Sequence, residues 1–192
     1  MNNRYYFTIK ELEEKFEAAA GRIEEFQNYQ PDLMLLKPGP GRWSIHEICL
    51  HLVEFGKLYL MEMDKAITKA NPMPQRDDPF RPRWHFRRMA AFFEPPYKLK
   101  LKTLPVLKPG NHEEVRKTLE ELADIQANVL HVLEQAGASR WNLKKIKAKN
   151  PVFRFLSMNL IELLVILEVH QRRHFWQIEQ NLKVLEGETR DE

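Results

Sequence analysis

Apolar residues recur every three or four positions along four long stretches of the chain, the spacing expected of amphipathic helices. In the first stretch Leu12, Phe16, Ala19, Ile23 and Phe26 share one face, which predicts a helix from about Ile9 to Gln27. Thr8 and Glu11 make a T-x-x-E capping box at its start, and Phe7 stands where a hydrophobic staple would begin. The prolines and glycines between Pro31 and Gly41 should interrupt the pattern. A second box, Ser44 with Glu47, opens a helix whose apolar face carries Ile48, Leu52, Phe55 and Tyr59 and which ends before Asn71-Pro72. The third helix, from about His112 to Gln135, buries Val115, Leu119, Leu122, Val129 and Leu133, with Asn111 as cap and Gly137 as stop. The fourth begins near Ser157 or Asn159, with Asn159 and Glu162 as a cap pair, and runs to about Glu186 before Gly187.

Residues 71–110 break this rhythm. Eight of the 12 prolines lie there, and only a short helix, about Arg83 to Phe93, is expected. So long a connection in a compact domain is often functional. Its aromatic residues, among them Phe80, Trp84, Phe86 and Tyr97, imply that it packs as a cap on the helices. A basic connector, Trp141 to Phe155, precedes the last helix. The expected fold is all-α, one domain over residues 1–192 with 71–110 as a proline-rich crossover and cap.

Composition narrows the setting. The net charge of +3 does not by itself argue for nucleic acid or an anionic membrane. The basic runs RPRWHFRR (Arg81 to Arg88) and KKIKAK (Lys144 to Lys149) carry no recognition motif and read as solvated charge, so no nucleic-acid partner is expected. The most apolar run, Asn159 to Val169, contains Glu162 and Glu168 and is too short for a bilayer, so no membrane partner is expected. A single cysteine, Cys49, allows no internal disulfide; with no signal-like start, the expected location is the cytoplasm.

Three histidines interrupt the apolar stripes. His170 and His174 are four apart on the fourth helix and so project from one face, one turn apart. His51 borders the stripe of the second. Buried imidazoles need partners to offset lost hydration, and one divalent ion would serve all three and keep a coordination position open. The rival reading is three neutral core histidines with one hydrogen bond each. HEICLH, from His46 to His51, has one residue too many for a zincin motif; its histidines diverge by about 140° around the helix and cannot share an ion. His46, His85, His112 and His131 read as solvated. Cys49, about 200° from His51 around the helix, reads as a small buried hydrophobe.

Two blocks carry a resemblance. GRWSIHEICLHLVEF resembles the W-S-x-x-E-x-x-x-H-L block that opens the second helix of DinB-like (DinB/YfiT) proteins, and LLVILEVHQRRHFWQIEQ resembles their H-x-x-R-H-x-x-Q block on the last. The resemblance implies a four-helix bundle with a long crossover between helices two and three, and a metal triad at His51, His170 and His174. It implies zinc or nickel, with iron or manganese also compatible with three imidazoles. It further implies a small-molecule substrate, low-molecular-weight thiols as cosubstrates in S-transfer or isomerisation, metal-dependent hydrolysis in other members, and frequent homodimers. A non-catalytic metal-binding or stress protein is the remaining alternative, because no general base stands beside the triad in sequence. Gln177 and Glu179 are candidates to orient ligands; Trp43, Tyr59, Trp84 and Trp176 could line a pocket, though core packing is the expected role of most. Arg172 and Arg173 should point outward to solvent.

Overall fold

The computed structural model describes residues 8–74, 79–95, 97, 107–108, 114–138 and 140–187. Its elements in chain order are α1 (Ile9–Phe26), α2 (Pro31–Leu35), α3 (Ile45–Thr68), α4 (Trp84–Ala91), α5 (Val115–Gly137), β1 (Lys147–Lys149), β2 (Ser157–Asn159) and α6 (Leu160–Leu185). The four long helices form an all-α bundle in which α1 packs on α5, α5 on α3, α3 on α6, and α6 back on α1. The segment between α3 and α5 is the long crossover, and α4 within it packs on α6. No helix among the described residues is long and apolar enough to cross a membrane.

Three capping boxes fix where helices start. Thr8 and Glu11, Ser44 and Glu47, and Asn159 and Glu162 each exchange side-chain and backbone hydrogen bonds as the sequence suggests. Gly187 ends α6 with φ +77°, a conformation that glycine adopts without strain. The staple at Phe7 and the cap at Asn111 fall outside the described residues; α5 begins at Val115 with Glu114 before it.

Two expectations need correction. Pro31 does not only interrupt; it starts the short helix α2, because proline at the first helical position loses no needed N–H. Ser157 does not begin the last helix but lies in β2, against which the basic connector packs. The two form an antiparallel hairpin that pairs Lys147 with Asn159, Ala148 with Met158 and Lys149 with Ser157. Ala148 and Met158 are buried while both lysines face outward, the two-residue alternation of a half-buried strand.

The core divides into two apolar clusters. One joins Leu12 and Phe16 to Phe55, Tyr59, Val129, Leu133 and the start of α6. The other joins Ile23 and Phe26 to Ile48, Leu52, Leu122, Phe175 and Ile178. On α3, α5 and α6 the change from one cluster to the other falls beside buried polar residues: His51, Gln126, and His170, Gln171 and His174. Gln126 and Gln171 exchange two amide hydrogen bonds across this level, at 2.7 and 3.3 Å.

Helices α3 and α5 approach closely at Gly56, where a Cβ would lie 2.8 Å from Ile125 Cγ2. Replacing Gly56 with alanine is therefore expected to destabilise the fold by about 1–2 kcal/mol, despite alanine's better helix propensity. Chemical denaturation checks this; a Gly56→Ala variant as stable as the parent would show that the helices can slide apart freely.

Candidate metal centre

His51 comes from α3, and His170 and His174 from successive turns of α6, where the two helices face each other. All three are buried. One nitrogen of each lies within 4.8 Å of the others. His51 Nε2 and His170 Nε2 are 3.2 Å apart, and the ring centroids of His174 lie 4.6 Å from both partners.

Hydrogen bonds assign the protons. His51 Nδ1 is 2.7 Å from the Leu107 carbonyl, which can only accept, so Nδ1 carries the proton and Nε2 presents a lone pair. His174 Nδ1 lies 3.1 Å from Gln177 Oε1, which leaves its Nε2 unprotonated in the same way. His170 Nδ1 is buried with no hydrogen-bond partner among the described residues. Packing holds that ring instead: Phe55 stacks on it at 3.7 Å with an interplanar angle of 13°, and Phe93 meets it edge-on at 5.2 Å.

Burial sets the charge state. It pushes His170 well below the usual imidazole range, helped by His174 and His51. It pulls His174 down to about 3, with His51 adding to the effect and Gln177 opposing it. His51 is lowered by burial more than the Leu107 carbonyl raises it. Three neutral imidazoles with lone pairs turned toward one another are a donor set suited to a divalent ion.

The spacing agrees. Two nitrogens bound at about 2.0–2.1 Å to a tetrahedral ion stand about 3.4 Å apart, close to the His51–His170 separation. Without an ion the cluster is incompletely satisfied. If His170 Nε2 donates to His51, its Nδ1 is left as a buried acceptor without a donor; if Nδ1 carries the proton, two lone pairs oppose each other. The residues present therefore fit a metal.

Neighbouring residues fix the histidines from several directions. Trp43 lies 5.2 Å from the His51 ring, and its carbonyl accepts from Asn181 on α6 at 2.8 Å. Arg42 in turn donates to Asn181 Oδ1 at 3.1 Å, so the chain before α3 is tied to α6. The Leu107 carbonyl belongs to the crossover. A backbone acceptor there, like the partner of Asn181, leaves no mark in residue type, and sequence reasoning missed both.

Several side chains depart from expectation. His46 is buried, not solvated: its Nε2 meets Thr118 Oγ1 on α5 at 2.9 Å. The first half of α3 is enclosed on nearly every side, so even the face turned away from His51 is interior. The two histidines diverge, and His46 has no part in the cluster. Cys49 is fully buried, and burial pushes its thiol up to about 12, which makes it a poor nucleophile. Arg172 and Arg173 do turn away from the triad, and both make contacts to the crossover. Arg172 makes bidentate pairs with Glu94 (2.7 and 2.9 Å) and Glu168 (2.8 and 3.1 Å). Arg173 donates to the Phe92 carbonyl at 3.1 Å. Glu179 pairs with Arg22 of α1 at 2.8 Å, leaving Gln177 as the residue of the two that orients a ligand. Tyr59 is core; Trp84 is exposed on the first turn of α4, so neither a core nor a pocket role fits it. Trp176 meets Tyr97 at a tilt of 41° beside a groove between α1 and α6, on the opposite side of α6 from the histidines.

Neither a curated protein nor a solved structure matches the chain. The family model of the DinB superfamily does, over residues 12–178, which takes in α3 and α5, most of α1 and α6, and all three histidines. The chain thus belongs to the DinB superfamily.

Proposed function

We propose that the chain is a metal-dependent enzyme in which His51, His170 and His174 hold one divalent ion and which transfers a thiol to a small electrophile. The observation that carries the reading is the convergence of three buried, neutral imidazoles from two helices within 4.8 Å. Bound there, a divalent ion would supply Lewis acidity, favouring the thiolate form of a thiol or activating water. Zinc or nickel suits the donor set best, and iron or manganese is compatible with it.

The protein's own contribution is to hold the ligands and exclude water. Leu107 and Gln177 keep the protons of His51 and His174 on Nδ1. Phe55 and Phe93 wall His170 with apolar surface. Arg172, four of whose five N–H groups are taken by Glu94 and Glu168, draws the crossover against α6 and turns away from the histidines. No carboxylate joins the histidine cluster among the described residues. That favours a reaction in which the cosubstrate brings its own nucleophile over hydrolysis, which needs a general base.

The test is a screen of low-molecular-weight thiols against small electrophiles, using metal-loaded protein with metal-free protein as control. Ion-dependent thiol consumption that disappears in His51→Ala is expected. An ion bound tightly with no thiol consumed and no ester or amide hydrolysed would leave a metal-binding protein without this activity.

The outer partner of His174 gives a graded expectation. Replacing Gln177 with leucine should lower metal affinity by roughly 10–100-fold, the usual effect of losing a hydrogen bond to a ligating histidine. Competition with a chromophoric chelator measures it. An unchanged affinity would mean that packing alone orients His174.

A further inference from the structure

Two basic segments that are distant in sequence meet in the fold at Arg83. Residues 79–93 and 140–161 contain ten of the chain's 30 lysines and arginines and none of its 27 acidic residues. The remainder of the chain therefore carries a net charge of −7, and the mild overall charge conceals a strong asymmetry. Arg83 joins the segments: its Nη2 donates to the Ser157 carbonyl on β2 at 2.8 Å, which sets the start of α4 against the hairpin.

The joined surface displays aromatic rings. Trp84 is 66% exposed, Phe153 45% and Phe155 84%. The hairpin tip is a built turn. Asn150 Oδ1 accepts from the backbone N–H groups of Val152 and Phe153 at 2.9 and 2.7 Å, Asn150 N donates to the Leu156 carbonyl, and Leu156 N to the Phe153 carbonyl. Phe153 and Phe155 are thus held outward, with exposed Arg154 between them and Lys147 and Lys149 on the outer face of β1. Rings presented to water on a fixed turn, ringed by cations, mark a surface made for contact.

We infer that this tip, with the start of α4, docks the protein on the surface of an anionic lipid bilayer. The aromatic rings would enter the headgroup boundary and the exposed Lys147, Lys149 and Arg154 would meet the negative surface potential. A single-stranded nucleic acid would need open ring faces on which successive bases stack. Here Phe153 and Phe155 stand at 61° to each other, with centroids 6.2 Å apart, and Trp84 lies edge-on to His85. That arrangement offers apolar bulk on a convex tip, not a stacking platform. Nothing here requires a spanning helix.

Sedimentation of the chain with vesicles tests the inference. Binding is expected to phosphatidylcholine vesicles containing phosphatidylglycerol, to fall with salt, and to be absent with phosphatidylcholine alone. A Lys147→Glu, Lys149→Glu variant should bind at least about tenfold more weakly, since each lysine near such a surface is worth roughly fivefold. A Phe153→Ser, Phe155→Ser variant should also lose binding while keeping its helical circular dichroism and melting temperature. Equal binding to both vesicle types, or variants that bind like the parent, would overturn the proposal. So would tighter retention of a single-stranded oligonucleotide than of anionic vesicles, which would assign the surface to nucleic acid.

Discussion

Replacing His51, His170 or His174 singly with alanine is expected to weaken binding of a divalent ion by well over 100-fold, beyond the roughly 10–100-fold loss expected for an outer partner such as Gln177. Each ring comes from a different position in a buried cluster, and no other residue among those described is placed to substitute. The ion binds the folded state, so it should raise the melting temperature of the parent, by an amount that grows with the logarithm of free ion concentration. Each alanine variant should lose that response. A purely structural role would give another pattern. Removing His170, which packs face-on against Phe55, would then lower the melting temperature while leaving the response to added ion unchanged. Calorimetric melts of each variant, with and without zinc or nickel, separate the two.

The second large effect is expected at Glu162, far from the histidines. Its carboxylate is fully buried at the start of α6 and accepts four hydrogen bonds: from Asn159 N at 3.1 Å, and from Arg83 N, Nε and Nη2 at 3.0, 2.9 and 2.6 Å. It is at once the cap of α6 and the anchor of α4. Glu162→Ala leaves two backbone N–H groups without their acceptor and removes the partner of Arg83, and should cost about 3 kcal/mol. The Arg83 side chain is half exposed and can return to water, which keeps the cost near the lower end for a broken buried pair. Burial tends to raise the Glu162 pKa, but the Arg83 and Asn159 hydrogen bonds outweigh it, so the carboxyl sits below its ordinary 4.5. A depressed folded pKa stabilises the protein above the unfolded value and loses that contribution as pH falls through the folded one. The stability gap between the parent and Glu162→Gln should therefore be full near neutral pH and shrink in acid below about pH 4. Denaturant titrations at several pH values measure the gap; one that stays constant into acid would show that the charge of Glu162 contributes nothing.

Much of the bundle could be read from the sequence because its determinants are local. A capping box spans four residues, and Thr8, Ser44 and Asn159 each carry theirs in plain view. Helical phase alone put His170 and His174 on one face and His51 beside a buried stripe. What was hidden depends on residues that meet only after folding. Arg83 and Glu162 are 79 positions apart, Arg172 and Glu94 are 78 apart, and Gln126 and Gln171 are 45 apart. Nothing in local spacing links such pairs. His46 was misjudged because phase assigns one inward face per helix, whereas α3 is enclosed by neighbours on several. The hairpin escaped notice because three-residue strands give too few alternations to stand out from a lysine-rich run.

The site shares this division. Residue type marks the three histidines, while the groups that aim them are a backbone carbonyl at Leu107, a side-chain amide at Gln177 and two aromatic walls. The crossover supplies Leu107 and Phe93, so the segment that looked least regular in sequence helps define the centre. Its attachment through Arg172 to Glu94 and Glu168 then bears on function as well as stability.

X-ray absorption at the metal edge, on protein loaded with one equivalent of zinc or nickel, tests the three-histidine centre most directly. One ion per chain with three imidazole nitrogens in its first coordination shell is the expected result. An ion that remains bound after all three histidines are replaced by alanine, or a spectrum without histidine ligation in the parent, would contradict it.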